Sequence, residues 1–422
     1  MQLSQTKHPK KSPTEGDTSK ILIIGAGLSG LALAQIFRRH GIAFEIFERH
    51  EVVRPEKQGW ALGLIECIPL LSQHLSDDLG DIEQTSVNWG VREPDSVGIF
   101  DGETGAPMAK LGGVTFGSPG YFLRANREHL RKFLAQNIAV TLGKQFSSYT
   151  EDSTGVTAMF TDGTSVRGRV LIGADGAYSA VRKQLLGPDH IPQLSPIIPM
   201  NGMCELSSTQ YAELRQHATS VWFAARPGVF FNIGLCSMKP DGSSGQFYWG
   251  VAFPSDHPAR DSDWCHTADS TTIYEKCLEL TRGMPDWLVN IVSITGPEGI
   301  NKPSIKFVEY LPPQTFPIGN RVTLLGDAAH TMIPFKGAGA NTAITDSCDL
   351  GTLIVDAFKQ EKDPWAALQQ VLDQYNTTML PRGREAVLAS RAAGQSSKGI
   401  TGILDGRVHQ NLSSDAPMRV AV

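Results

Sequence analysis

The segment that most restricts the fold is ILIIGAGLSGLALAQIFRRHGIAFEIFER, residues 21–49. Four consecutive apolar residues, Ile21 to Ile24, mark a strand buried on both faces, as in a parallel sheet. Leu28 to His40 carries helical periodicity, with Arg38 and Arg39 in the last turn and Gly41 as the stop. Ala43 to Phe47 reads as the next strand. The turn between strand and helix is Gly25-Ala26-Gly27-Leu28-Ser29-Gly30. In that spacing Gly25 permits the tight turn, Gly27 admits a pyrophosphate against the backbone, and Gly30 lets the helix pack on the strand. The helix then offers free N–H groups and its positive dipole end to phosphates. Glu48, at the end of the second strand, stands where a carboxylate takes the hydroxyls of a ribose.

Two later segments repeat the theme of a buried strand that stops abruptly. VLIGADGAYSAVR, residues 170–182, ends its strand at Asp175-Gly176 and continues into a helix with Ser179 at its start and Arg182 a turn later. RVTLLGDAAHTMIPFKGAGAN, residues 321–341, stops at Gly326-Asp327. It then passes through Pro334, Gly337, Ala338 and Gly339, a stretch almost without side chains, before turning helical near Asn341. Taken singly, Asp175 and Asp327 read as turn or N-cap residues. Taken with the Gly25 turn, they mark the carboxyl ends of three buried strands, which is where open α/β sheets bind ligands.

The rest of the chain supplies a second architecture. Residues 64–74 look helical with an interruption at Pro69, and 77–120 read as irregular or as part of a second sheet. YFLRANREHLRKFLAQN is a strand leading into a helix capped by Asn126. Asp162-Gly163 joins two strands as a hairpin. From about 187 to 320 the runs SVWFAARPGVFFNIGLCSM and GQFYWGVAF predict a mostly antiparallel sheet over a pocket. Trp222, Phe230, Phe231, Tyr248 and Trp249 are equally candidates for pocket lining and for plain sheet core. Arg226 and Tyr248 are candidates to contact a phenolate or carbonyl. Residues 364–395 are expected to be helical, divided at Pro381, and 400–422 are weakly patterned.

Composition excludes several classes. A net charge of -5 with no basic stripe argues against a nucleic-acid surface. The six cysteines are scattered without a CxxC pair, which disfavours a metal site or disulfide framework and suits a reducing, cytoplasmic location. No apolar run reaches membrane-spanning length, so no integral membrane segment is expected. Residues 1–19 are polar, lack a signal-peptide core and read as a disordered tail. Nothing fixes assembly beyond a monomer or homodimer.

With the three strand-end motifs in order, the chain resembles the group A flavoprotein monooxygenases, single-component FAD enzymes that include aromatic hydroxylases similar to salicylate hydroxylase and epoxidase-like members. The likeness spans about 20–360. It implies an α/β fold with a glutathione-reductase-type Rossmann FAD-binding domain, an inserted mostly antiparallel β substrate domain and C-terminal helices. The implied division is an FAD domain from 20–80, 115–186 and 320–360, a substrate domain from 81–114 and 187–319, and a helical segment from 361–422.

By the same resemblance, Gly25, Gly27 and Gly30 hold the FAD pyrophosphate and Glu48 the adenosine ribose. Arg127, with Arg124 as a second candidate, reaches the phosphates. Asp175 hydrogen-bonds in the region where FAD and nicotinamide approach, and Asp327 takes the ribityl or ribose hydroxyls. Pro334, Gly337, Gly339 and Asn341 form the loop beside the flavin ring. Ala338 departs from the polar or acidic residue that relatives often carry between those glycines. His330 reads as a structural residue rather than a base, and Cys67 and Cys348 as packing residues. With only one dinucleotide motif, NAD(P)H is expected as a transient co-substrate. O2 then forms a flavin C4a-hydroperoxide that hydroxylates or epoxidises a mid-sized apolar or aromatic small molecule. An FAD oxidase or reductase on the same fold is the competing expectation.

Overall fold

The computed structural model describes residues 19–52 and 60–395. Residues 1–18 of the expected tail and the stretch 400–422 lie outside the described residues. The chain opens with β1 (Ile21–Ile24), α1 (Leu28–His40) and β2 (Phe44–Phe47). α1 stops at Gly41, whose φ of 65° turns its N–H back to the last helical carbonyls.

β3 (Ala61–Leu64) leads to α2 (Cys67–His74). Pro69 lies in the first turn of α2, where its missing N–H has no helical partner to lose, so the helix begins there rather than being interrupted. Then come β4 (Ser96–Asp101), β5 (Pro107–Gly112), β6 (Leu123–Asn126) and α3 (Arg127–Leu134). The Asn126 side chain caps α3 by accepting the His129 N–H at 3.0 Å. β7 (Val140–Thr141), β8 (Phe146–Asp152), β9 (Gly155–Phe160), β10 (Ser165–Gly168) and β11 (Val170–Gly173) follow, with β9 and β10 paired antiparallel across the Asp162-Gly163 turn.

After α4 (Ala180–Leu186) come β12 (Gln193–Leu194), β13 (Ile197–Ser207), α5 (Ser208–His217), β14 (Val221–Arg226), β15 (Val229–Met238) and β16 (Ser244–Pro254). The chain then forms α6 (Pro258–Thr267), α7 (Ser270–Thr281), α8 (Asp286–Thr295), β17 (Val308–Glu309), β18 (Val322–Leu324), α9 (Asp327–His330), α10 (Gly339–Gln360) and α11 (Pro364–Gln395).

Two large sheets organise these elements. The first runs β18-β11-β1-β2-β7, with all neighbours parallel. Each residue of β1 is buried, as a central parallel strand requires. The second runs β13-β16-β15-β14-β4-β5 and is antiparallel except for the parallel pair β14–β4. The ribbon β3–β6 stands between them. Leu123 and Ala125 turn into the core of the first sheet, while Arg124 and Asn126 turn toward β15 and β16.

The expectation of a mostly antiparallel region over 187–320 omitted α5 to α8. Their starts carry ordinary signals: a capping box between Ser207 and Gln210, Pro258 in the first turn of α6, and Asp269 accepting the Thr272 N–H. Four of the six proposed pocket residues face these helices. Trp222, Phe231 and Trp249 are fully buried in the core between sheet and helices. Trp222 Nε1 donates to the Leu214 carbonyl of α5 at 2.9 Å, and Trp249 Nε1 donates to Thr295 Oγ1 of α8 at 2.7 Å. Arg226 donates to the Leu280 carbonyl of α7 at 2.8 Å. Strand alternation is the reason, because adjacent residues of one strand cannot share a face. Tyr248 is on the opposite face, as is Phe230.

α11 also departs from expectation, because it runs unbroken through Pro381. The proline is exposed, so the ring faces water and the unmatched carbonyl has solvent as a partner.

The core assignment of Trp222 has a direct consequence. Trp222→Ala should lower the unfolding free energy by about 3–5 kcal/mol in a denaturant titration, while Trp222→Phe leaves ligand preference unchanged. An altered preference in Trp222→Phe would return this residue to the pocket.

Candidate cofactor and substrate site

The three strand ends meet at backbone distance. A Cβ on Gly25 would lie 2.3 Å from the Ala174 carbonyl oxygen, and a Cβ on Gly30 would lie 2.1 Å from the Gly25 oxygen. A Cβ on Gly326 would be 3.0 Å from Ala343 Cβ and Ser29 Oγ. Ser347 of α10 donates to the Ser29 carbonyl at 2.9 Å, tying the third motif to the first. Gly27 differs from these, because a Cβ there would meet nothing within 4 Å. Its face opens outward at the start of α1, which has no side-chain cap and no acid in its first turn. That is an anion cradle of the kind dinucleotide turns present.

Charged groups border the cradle. Glu48 accepts the N–H of Ala26 at 3.2 Å and that of His50 at 3.1 Å. Arg131, not singled out in the sequence, donates Nε to the Ala26 carbonyl at 3.0 Å. Burial lowers its pKa and Glu48 opposes the shift. The helical spacing from Arg127 to Arg131 was the signal that could have found it. Burial lowers the pKa of Arg127 as well, with Asp327 acting in the other direction. Asp327 is exposed at the end of β18.

Asp175 is placed otherwise than expected. Its Oδ1 accepts the Ser179 hydroxyl at 2.5 Å, and its Oδ2 accepts the N–H groups of Ala180 at 2.7 Å and Val181 at 3.2 Å. The carboxylate is spent on the start of α4. Arg182, fully buried, donates to the carbonyls of Ala177, His190 and Ala328. It clamps the second motif onto the third and lies over the Tyr310 ring at 4.2 Å.

The loop after β18 is held from behind. Pro334 opens a short 3-10 turn, and Gly337 follows with φ 57° and no atom within 4 Å of a Cβ. Gly339 is nearly as open. Asn341 donates to the carbonyls of Gly63 at 2.8 Å and Gly337 at 3.1 Å and accepts the Ile65 N–H at 2.9 Å. Its side chain therefore fixes the loop to β3. The N-terminus of α10 behind the loop has no side-chain cap.

Beneath Gly326 lies a buried ionic cluster. Asp346 accepts the Gly326 N–H at 3.0 Å, bonds His330 Nε2 at 2.6 Å and accepts Arg382 Nη2 at 2.8 Å. Burial works against charge on both Asp346 and His330. Their mutual attraction, with Arg382, outweighs it, so the Asp346 pKa stays low and that of His330 is raised. His330 thus has structural partners, as the sequence led us to expect.

The face of the second sheet away from α5–α8 carries Tyr248. Its ring stacks on Trp60 at 4.5 Å with planes 8° apart, and its hydroxyl accepts Arg124 Nη2 at 2.5 Å. Arg124 therefore points into the second sheet, away from the Gly25 turn, so it does not join Arg127. Phe230 meets Phe335 of the loop at 4.8 Å between ring centroids.

The uncapped α1 start, the open face of Gly27 and the half-buried cations Arg127 and Arg131 beside it fit the pyrophosphate of FAD. Comparison with known proteins agrees. Residues 107–282 and 314–390 match the FAD-binding domain family, and 23–54 match the NAD(P)-binding Rossmann-like domain. The FAD-dependent monooxygenase thnD of Trichoderma harzianum is 32% identical over 378 residues, covering 88% of this chain and 92% of that protein. The chain belongs to the group A flavoprotein monooxygenases. An FAD-dependent urate hydroxylase of Klebsiella pneumoniae is 28% identical over 377 residues, with 88% of each chain covered. The crystal structure of Klebsiella pneumoniae HpxO with FAD and uric acid shares the fold, with a TM-score of 0.70 at 22% identity over 94% of this chain and 93% of that one. This flavoprotein is an FAD-dependent monooxygenase. Among its described residues no helix is long and apolar enough to cross a membrane.

The raised His330 pKa gives a pH prediction. The stability it contributes is fully present below about pH 6.5, its unfolded value, and is lost as pH rises through the higher folded value. Urea titrations from about pH 6 to about pH 9 should show this decline in the native protein. His330→Gln, although less stable throughout, should lack it; an equal slope would remove His330 as the source.

Proposed function

We propose that this monooxygenase uses NAD(P)H and O2 to oxygenate a mid-sized, electron-rich aromatic or apolar molecule, with hydroxylation or epoxidation as the outcome. The observation that carries this reading is the meeting of the open Pro334–Asn341 loop with the Phe230 face of the second sheet. Phe335 bridges the two through its contact with Phe230. A loop with little side-chain bulk beside an aromatic wall suits a flat substrate lying against a flat cofactor. The fungal monooxygenase relative supports a secondary-metabolite substrate. The balance is simple: NAD(P)H gives a hydride and solvent a proton, one O2 atom enters the substrate, and the other leaves as water.

Bound FAD supplies the redox chemistry of the reaction. The chain supplies position. In this proposal Gly25, Gly27 and Gly30 shape the pyrophosphate cradle, with Arg127 and Arg131 balancing its charge. Glu48 and Asp327 take polyol hydroxyls. Pro334, Gly337 and Gly339 leave room beside the ring, and Asn341 keeps the loop in register. Asp175 acts at one remove, by holding α4 against the third motif. Phe230 and Phe335 keep water from the reacting face.

Asp327→Ala should weaken FAD binding by about 10-fold or more, the loss of one charge-assisted bond, with the far-ultraviolet spectrum unchanged. Undiminished flavin affinity would remove Asp327 from the proposed cofactor contacts. The decisive functional measurement is anaerobic bleaching of the flavin by NADPH and NADH, with and without a panel of aromatic and terpenoid compounds. A compound that accelerates reduction and is oxygenated on admission of O2 supports the proposal. Reduction equally fast without any compound, with no oxygenated product, supports an oxidase or reductase instead.

A further inference from the structure

The ionic cluster beneath the cofactor loop has no part in the contacts proposed for FAD. Asp346 on α10 is fully buried. Its two oxygens have different tasks. Oδ2 takes the Gly326 N–H and His330 Nε2, and Oδ1 takes Arg382 Nη2 of α11. The positive groups that hold its charge are His330 and Arg382. Of these, only the guanidinium stays charged across the whole working pH range of a protein.

The Gly326 turn has little freedom to move. Its carbonyl accepts the N–H groups of Ala329 and His330 at 2.8 and 3.0 Å. Its φ is 59°, and a Cβ would meet Ala343 and Ser29 at 3.0 Å. Its own N–H ends on Asp346. A buried N–H that loses its acceptor is costly, so the turn stays where the carboxylate is. Asp327 is the next residue. It is exposed, and its charge acts on Arg127 beside the pyrophosphate cradle.

Arg382 secures the carboxylate from the other side. It is half-buried, and its Nη1 donates to Asp349 at 2.6 Å. Asp346 and Asp349 lie one turn apart on α10, and the guanidinium spans both. The backbone beside it is held by close packing, since a Cβ on Gly383 would lie 2.5 Å from the His330 ring.

We propose that Arg382 is a positioning residue for FAD. It keeps Asp346 ionised and in place, Asp346 holds the Gly326 turn, and the turn aims Asp327 at the hydroxyls of the cofactor. Asp349, partly open to solvent, keeps the guanidinium in register. This rests on the assignment of Asp327 to a polyol contact. It gives α11, which bears none of the proposed cofactor contacts, a share in cofactor affinity. An ion pair kept for the fold alone lowers stability when broken and leaves the affinity of the folded protein unchanged. A positioning pair lowers the affinity, and does so only while Asp327 is present.

The test is a double-mutant cycle on FAD affinity, read from the recovery of flavin fluorescence as the holoprotein is serially diluted. Arg382→Gln should weaken binding by about 10-fold, as Asp327→Ala does, and the double variant should be no more than about 2-fold weaker than Asp327→Ala alone. Arg382→Lys, which keeps the charge without the fork, should fall between Arg382→Gln and the native protein. Asp349→Asn leaves the buried pair intact and should weaken binding by about 2–3-fold, with no further loss in the Asp327→Ala background. It carries the same comparison if Arg382→Gln fails to fold, which far-ultraviolet spectra and melting of each holoprotein record. Losses that multiply to about 100-fold in the double variant, undiminished affinity in Arg382→Gln, or an Asp349→Asn loss that persists without Asp327 would overturn the proposal. Undiminished affinity in Asp327→Ala would remove the contact it rests on and overturn it as well. No NAD(P)H, O2 or substrate enters this measurement. Its failure therefore leaves the monooxygenase reading standing, and failed flavin reduction leaves the positioning role standing.

Discussion

Direct contact between backbones at the ends of β1, β11 and β18 is the constraint on which the rest of the structure depends. Gly25 touches Ala174, Gly30 touches Gly25, and Gly326 abuts Ser29 and Ala343. No side chain larger than hydrogen fits at these points, since each added Cβ would come within 2.1 to 3.0 Å of an atom already there. Three motifs separated by about 150 residues each are therefore one contact cluster in space. The open cradle at Gly27 exists because its neighbours are packed this closely. The strands bring their ends together, and the helices that follow start side by side around a shared cleft.

That cluster needs support from behind, and the support is ionic. Asp346 on α10 takes the Gly326 N–H, so the turn that aims Asp327 is fixed by a carboxylate buried beneath it. Three ligands around one buried carboxylate offset the cost of its desolvation, as isolated pairs in such places often do not. Arg382 comes from α11, which also passes so close to His330 that only Gly383 fits there; a Cβ would lie 2.5 Å from the ring. The long C-terminal helix thus reaches the cofactor region through charge and close packing. This explains why it runs on through Pro381, with both sides of the proline anchored.

Much of the first sheet was legible because its signals are local. A four-residue apolar run, a glycine spacing and a helix stop all lie within thirty residues of each other. The second sheet was harder. Its aromatic runs announce strands, but only strand alternation and knowledge of which face is covered separate Tyr248 from Trp249. The covering helices began at capping signals in the sequence that the aromatic runs overshadowed. Asp175 shows a different limit, since a carboxylate at a strand end can serve a ligand or the next helix, and only three-dimensional hydrogen bonds distinguish them. Arg124 shows a third. Its neighbour Arg127 belongs to α3, whereas Arg124 belongs to a strand whose alternate side chains face the other sheet, so three positions of separation send the two cations to different partners.

The two faces of the second sheet divide its work by chemistry. On the helix side the indoles of Trp222 and Trp249 fill space and spend their N–H groups on protein acceptors. On the other side the strands are thinned by glycine. Tyr248 lies across Gly234, where a Cβ would come within 2.2 Å of its ring, and Gly250 lies between Asn232 and Asn201, with a Cβ 2.7 and 2.8 Å from their side-chain amides. The polar side chains therefore lie down along the sheet instead of standing up from it. This face carries the Tyr248 phenol, two amides and the Arg124 guanidinium that donates to the phenol. The device is the one used at the cofactor cradle: side chains are deleted where another group must come close. The chain thus uses a single structural idea twice, leaving out side chains at the cofactor cradle of the first sheet and along one face of the second.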